Sequence, residues 1–199
     1  VTIRSVQCEA PLIHTVIYLI NEYLSGEKKG NCYLFINSVE FIRDMVDYCN
    51  LTDENTRAVW SLSNPAKTGL IRGLTTDEPK KINFFTSTAF EGVDILDREG
   101  HIYVISDGLK AHTLIDISTS MQQIAGRIRN TKYLGIITHI FNTTKYNIGV
   151  TYEEHKKATE SEIDKAKRMV ADFATLTSDY QDFFRIRMKK DVTGDNYLM

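Results

Sequence analysis

Two short stretches carry the residue types best suited to handling a phosphate: Thr86-Ser-Thr-Ala-Phe-Glu-Gly-Val-Asp94 and Gln123-Ile-Ala-Gly-Arg-Ile-Arg129. In the first, Thr86, Ser87 and Thr88 offer hydroxyls and backbone N–H groups to phosphate oxygens. Gly92 permits close backbone approach, and Asp94 can accept from a sugar hydroxyl. In the second, Arg127 and Arg129 can stabilise charge on a transferring phosphoryl group. If Ser118 to Arg129 is helical, these arginines diverge by about 200°. Gly126 inside that helix costs about 1 kcal/mol against Ala, which points to close packing there. Each stretch has a plainer alternative. The first can be an ordinary strand-to-helix turn capped by hydroxyls, and the second a surface helix with two solvated arginines.

Other chemistries find little footing. Cys8, Cys32 and Cys49 form no C-x-x-C pair, and their odd number fits neither a disulfide framework nor a zinc site, so a reducing, cytoplasmic compartment is expected. His14, His101, His112, His139 and His155 lack metal-ligand spacing, and no metal site is expected. A formal charge of −2 on 199 residues excludes a uniformly basic nucleic-acid binder, so any such contact must be local. No stretch reaches the roughly 18 to 20 apolar residues of a membrane span; the most apolar, Pro11 to Leu24, is broken by His14, Asn21 and Glu22. The start at Val1 carries no secretory signal and suggests an excised piece.

The positioning elements follow from periodicity. Leu12, Ile13, Val16, Ile17, Ile20, Tyr23 and Leu24 recur at helical spacing ahead of Gly26, predicting a helix over residues 10–25. Cys32 to Ile36 is a short apolar run bounded by Gly30 and Asn37-Ser38, the pattern of a strand buried on both faces. Ser38 can cap a helix bearing Phe41, Ile42, Met45, Val46 and Cys49 on one face. Further strands are predicted at Ala58–Trp60, Lys81–Phe85, Ile102–Ser106 and Tyr133–Phe141. Trp60 is expected in the core. Alternating strands and helices imply parallel pairing and a three-layer α/β sandwich. Beyond Glu153 the sequence becomes charged and helical, so residues 1–150 are expected to form the main domain and 151–199 a helical extension or connector. Within that extension Phe183 to Lys190 mixes aromatic and basic residues, a pattern suited to a partly solvated terminal helix or to contacts with bases and phosphates.

Taken together, the two stretches resemble motifs V and VI of superfamily 2 (DEAD/DEAH-like) helicases. Thr86, Gly92 and Asp94 match T-x-x-x-x-x-G-x-D, and Gln123, Gly126, Arg127 and Arg129 match Q-x-x-G-R-x-R. The strand and helix from Cys32 to Cys49 resemble motif IV, with Asn37 and Ser38 at the strand end. The likeness covers roughly residues 32–142. It implies a RecA-like, P-loop NTPase-type C-terminal lobe with a mostly parallel central sheet. Arg127 and Arg129 would be arginine fingers, Gln123 would sit near the γ-phosphate and attacking water, and Gly92, Asp94 and Gly126 would line the nucleotide. Asn37, Ser38, Thr86, Ser87 and Thr88 would meet a DNA or RNA backbone.

The chain has no G-x-x-x-x-G-K-[ST] loop: Lys67-Thr68 follows Asn64-Pro-Ala, and neither Asp53-Glu54 nor Asp77-Glu78 follows a buried strand. ATP with Mg²⁺ is therefore expected to bind jointly with an N-terminal RecA-like lobe of the same protein, and this portion alone is expected to be inactive. The rival reading is a RecA-like docking or nucleic-acid-binding module without turnover. A self-sufficient small ATPase or kinase is opposed by the missing phosphate loop.

Overall fold

The computed structural model describes residues 1–62, 68–90, 94–142 and 151–182. The chain divides into two compact units, Val1–Lys145 and Tyr146–Met199. The first holds six strands: β1 (Thr2–Gln7), β2 (Asn31–Phe35), β3 (Thr56–Val59), β4 (Ile82–Phe85), β5 (Gly100–Ser106) and β6 (Ile136–Phe141). Its helices are α1 (Leu12–Leu24), α2 (Val39–Cys49) and α3 (Ser120–Ala125). The strands form one sheet in the order β1-β6-β5-β2-β4-β3, and every neighbouring pair is parallel.

Strand alternation divides the core into two layers. Cys32, Leu34 and Ile36 pack with Val16, Ile20 and Tyr23 of α1 and with Ile42 and Met45 of α2. Tyr33 and Phe35 point the other way, into a cluster with Phe85, Phe90, Met121, Ile124 and Ile128. Burying each such side chain contributes about 1.5 to 3 kcal/mol. Helices thus flank both faces of the sheet, as expected of parallel strands buried on two sides.

α1 buries Leu12, Val16, Ile20 and Tyr23 of the stripe its periodicity predicts, together with Leu19 from outside it, while Ile13, Ile17 and Leu24 are only partly buried. α2 starts at Ser38, whose Oγ accepts from the Phe41 N–H at 3.2 Å. It ends at Asn50, in the left-handed region at φ 51°. Gly30, at φ 84°, opens β2 so close to β5 that a Cβ there would lie 2.1 Å from the Glu99 carbonyl oxygen. Only glycine fits that crossing.

The pattern of Thr2–Gln7 predicts no element, yet β1 is the sheet's outer strand beside β6; it is mostly exposed, so it has no buried face to announce it. The opposite edge is built differently. β3 is fully buried, and Arg72 bridges to Ala58 along its outer side. Beneath that strap Arg57, 4% exposed, donates to Asn83 Oδ1 at 3.1 Å and to the Asp77 carbonyl, with Phe85 under its guanidinium. Burial pulls the Arg57 pKa below its ordinary value.

Two predicted spans shorten. The expected helix over Ser118–Arg129 is only Ser120–Ala125, and the strand predicted from Tyr133 begins at Ile136, after Gly135 at φ 75°. Trp60 is buried, as expected, just past β3.

The second unit contains α4 (Tyr152–Thr175), opened by a reciprocal cap. Thr151 Oγ1 accepts from the Glu154 N–H, and the Thr151 N–H donates to Glu154 Oε2 at 2.8 Å. Phe183 to Lys190 lies outside the described residues.

Candidate functional site

One group of the expected site residues sits on the rim formed by the carboxyl ends of the strands. Thr86 directly follows β4; its N–H donates to the Val59 carbonyl at 3.1 Å, while the Ile36 N–H donates to the Phe85 carbonyl at 2.9 Å. Thr86 is buried, and its Oγ1 donates to Val59 O at 3.3 Å and lies 3.3 Å from Thr88 Oγ1. Ser87 and Thr88 are exposed on a short 3-10 turn, Ser87–Ala89. Asn37, half-buried past β2, donates from Nδ2 to the His112 carbonyl at 2.8 Å. Ser38, 7% exposed, spends its Oγ capping α2. Within the rim, Ser87 and Thr88 therefore present their side chains most openly to a ligand.

The second group lies away from that rim. α3 stops at Ala125, and Gly126 is its C-cap. The chain then runs past the start of β5: a Cβ on Gly100 would fall 2.7 Å from Ile128 Cδ1. Of the two phosphate-suited stretches, only Thr86–Thr88 stands beyond the carboxyl end of a strand. Gln123 to Arg129 is carried back along the α3 face of the sheet instead.

In this second group Ile128 forms a parallel bridge with Ile95. The Ile95 N–H donates to Arg127 O at 2.8 Å, and the Arg129 N–H donates to Ile95 O at 2.9 Å. Both isoleucines are buried, at 3% and 0% exposure. Arg127 and Arg129 consequently flank one buried residue held in an isolated bridge, each at a bend of the backbone. The 200° divergence expected of a helix does not occur, because the helix ends before either arginine. Arg129 Nε donates to Asp94 Oδ1 at 2.7 Å, an exposed ion pair. Arg127 is half-buried, and its Nε donates to the Gln123 carbonyl at 2.9 Å.

Gly126 does not show the close packing its position suggested. A Cβ there would meet only Gln123 O at 3.6 Å and Arg129 Nη1 at 3.8 Å, ordinary contacts. Its place at a helix end removes the interior cost that motivated the expectation. Gly92 and Lys67 lie outside the described residues.

The rim also carries a network that motif reading passes over. Asn142 Nδ2 donates to Asp107 Oδ1 at 2.8 Å, the Gly108 N–H donates to Asn142 Oδ1 at 2.9 Å, and the Asp107 N–H donates to Thr113 Oγ1 at 2.9 Å. These bonds fix the loop whose His112 carbonyl receives Asn37. Its only signal in the sequence is an Asp-Gly and an Asn just beyond two strands.

Among the described residues no group of three or more His, Cys, Asp or Glu converges as a metal site. His139 pairs through Nε2 with Ser106 Oγ at 3.0 Å, and burial holds its pKa below the usual value. Cys8, Cys32 and Cys49 are free thiols. No helix among the described residues is long and apolar enough to cross a membrane. No protein-family model, curated protein or solved structure matches the chain.

Proposed function

We propose that this chain is the C-terminal RecA-like motor lobe of a superfamily 2 nucleic-acid helicase or translocase, working with an N-terminal lobe across a composite ATP site. The observation that carries this reading is the Ile95–Ile128 bridge. It joins the segment that leaves the rim at Thr86 to the segment bearing the arginines, so one lobe offers two linked polar surfaces. The motif resemblance supplies the roles, and the six-stranded parallel sheet flanked by helices is compatible with them.

ATP with Mg²⁺, held between the two lobes, supplies the phosphoryl group whose transfer to water drives the motor. Arg127 and Arg129 meet the charge developing on that group, a contribution on the order of 10³ to 10⁵ in rate for an arginine finger. Their guanidiniums suit it because they are permanently charged, planar donors. Gln123 stands beside them at the end of α3 to orient the attacking water. The metal's carboxylates and the phosphate loop come from the other lobe. On the rim, Ser87, Thr88 and Asn37 hold a DNA or RNA backbone, with Thr86 and Ser38 shaping the surface beneath them. Lobe closure and reopening shift these contacts along the strand with little sequence preference.

A docking module without turnover is the rival reading, and the internal use of the Ser38 and Thr86 hydroxyls favours it. Arg127→Ala in the full-length protein separates the two. The motor reading requires nucleic-acid-stimulated ATP hydrolysis to fall by a factor of about 10³ or more while nucleic-acid affinity stays within about twofold. Unchanged turnover overturns it. The 199-residue chain alone should show no ATPase and at most weak ATP binding by calorimetry.

A further inference from the structure

We propose that Asp94 is a positioning residue that fixes the Arg129 guanidinium where phosphoryl charge develops. This replaces the direct contact to the nucleotide's sugar that its place in the sequence suggests. The inference rests on the motor-lobe reading and deepens it.

The frame around the pair is stiff and the pair itself is open. Ile95 and Ile128, buried at 3% and 0%, are cross-bonded by the Ile95 N–H to Arg127 O and by the Arg129 N–H to Ile95 O. In this parallel bridge Asp94 is in register with Arg127 and Arg129 lies one step further along, so the long Arg129 side chain reaches diagonally back across the bridge to Asp94. Their side chains are 62% and 53% exposed, joined by Nε to Oδ1 at 2.7 Å. A pair this solvated adds little to stability. What it does is bias a long side chain with many rotamers toward one orientation. Because the bond uses Nε, it does not consume the two terminal nitrogens, which can then meet a phosphoryl oxygen. A carboxylate already committed to Arg129 is poorly placed to read a sugar hydroxyl as well.

The test is steady-state ATP hydrolysis by the full-length protein carrying Asp94→Ala, Arg129→Ala, both, or Asp94→Glu, with thermal melting of each. Arg129→Ala should lower kcat by about 10³. Asp94→Ala should lower kcat by about 10- to 100-fold, the effect of a misplaced catalytic group, with KM for ATP within about twofold. The double variant should fall no further than Arg129→Ala, and Asp94→Glu should restore most of the lost rate. Activity on 2′,3′-dideoxy-ATP relative to ATP should be the same with and without Asp94. A raised KM with unchanged kcat, additive losses in the double variant, or dideoxy discrimination that vanishes with Asp94→Ala overturns the positioning role. Turnover untouched by Arg129→Ala overturns the motor-lobe reading and this proposal with it.

Discussion

The rim and the α3 face treat their polar residues in opposite ways. On the rim the fold consumes hydroxyls: Ser38 caps α2, Thr86 bonds to Val59 O, and both are under a tenth exposed. On the α3 face the structural work falls to the backbone and to two buried isoleucines, leaving Asp94 and Arg129 more than half exposed. A hydroxyl that suits a phosphate oxygen equally suits a helix cap or a strand-end carbonyl, so its presence in a turn discriminates poorly. An arginine held in the open by buried neighbours has fewer structural uses. Arg129 is therefore the more discriminating residue of the two groups, whereas Arg127 is half-buried and bonded to the Gln123 carbonyl.

Substitutions can break this contrast. The largest effect belongs to Arg127→Ala, with ATPase down by about 10³ or more and an unchanged melting temperature; a large stability loss would make the arginine structural. Ile128→Ala should cost about 2 to 5 kcal/mol in denaturant unfolding and lose ATPase with it, because the buried bridge carries both arginines. Activity retained in a destabilised Ile128→Ala protein would separate the bridge from the site. Replacing Ser87 and Thr88 together by Ala should weaken single-strand binding about tenfold, near 1.4 kcal/mol, without lowering stability. Ser38→Ala should do the reverse, costing about 1 kcal/mol of stability with nucleic-acid affinity nearly intact.

The smallest effect concerns the approach to α3. Hydrogen bonds from the Thr119 and Ser118 hydroxyls hold the Asp116 carboxyl down to about 2. Because the folded value lies below the unfolded one, near 3.9, this bonding stabilises the fold above that pH. The contribution is lost as pH falls through about 2. Carboxyl NMR titration of Asp116 should find a midpoint near 2, and one near 4 would show that the Thr119 and Ser118 hydroxyls do not hold the carboxylate.

Much of the scaffold was legible. The stripe of α1, the Ser38 cap of α2 and the buried runs that became β2, β4 and β5 all follow from local periodicity, which reports burial directly. β1 was not legible, because an exposed edge strand has no buried face to pattern its residues. The length of α3 was misjudged because Gln123 to Arg129 contains apolar residues compatible with helix or strand, and only packing of Ile128 against Ile95 and Gly100 chose between them.

By itself, then, the sequence determined which residue types are on hand for phosphate chemistry and which short runs must be buried, since both are properties of neighbours along the chain. Tertiary structure alone decided the strand order β1-β6-β5-β2-β4-β3, the separation of rim from face, and the meeting of Asp94 with Arg129. Parallel strands pair segments far apart in sequence, and no local pattern encodes which distant backbone a given N–H will find.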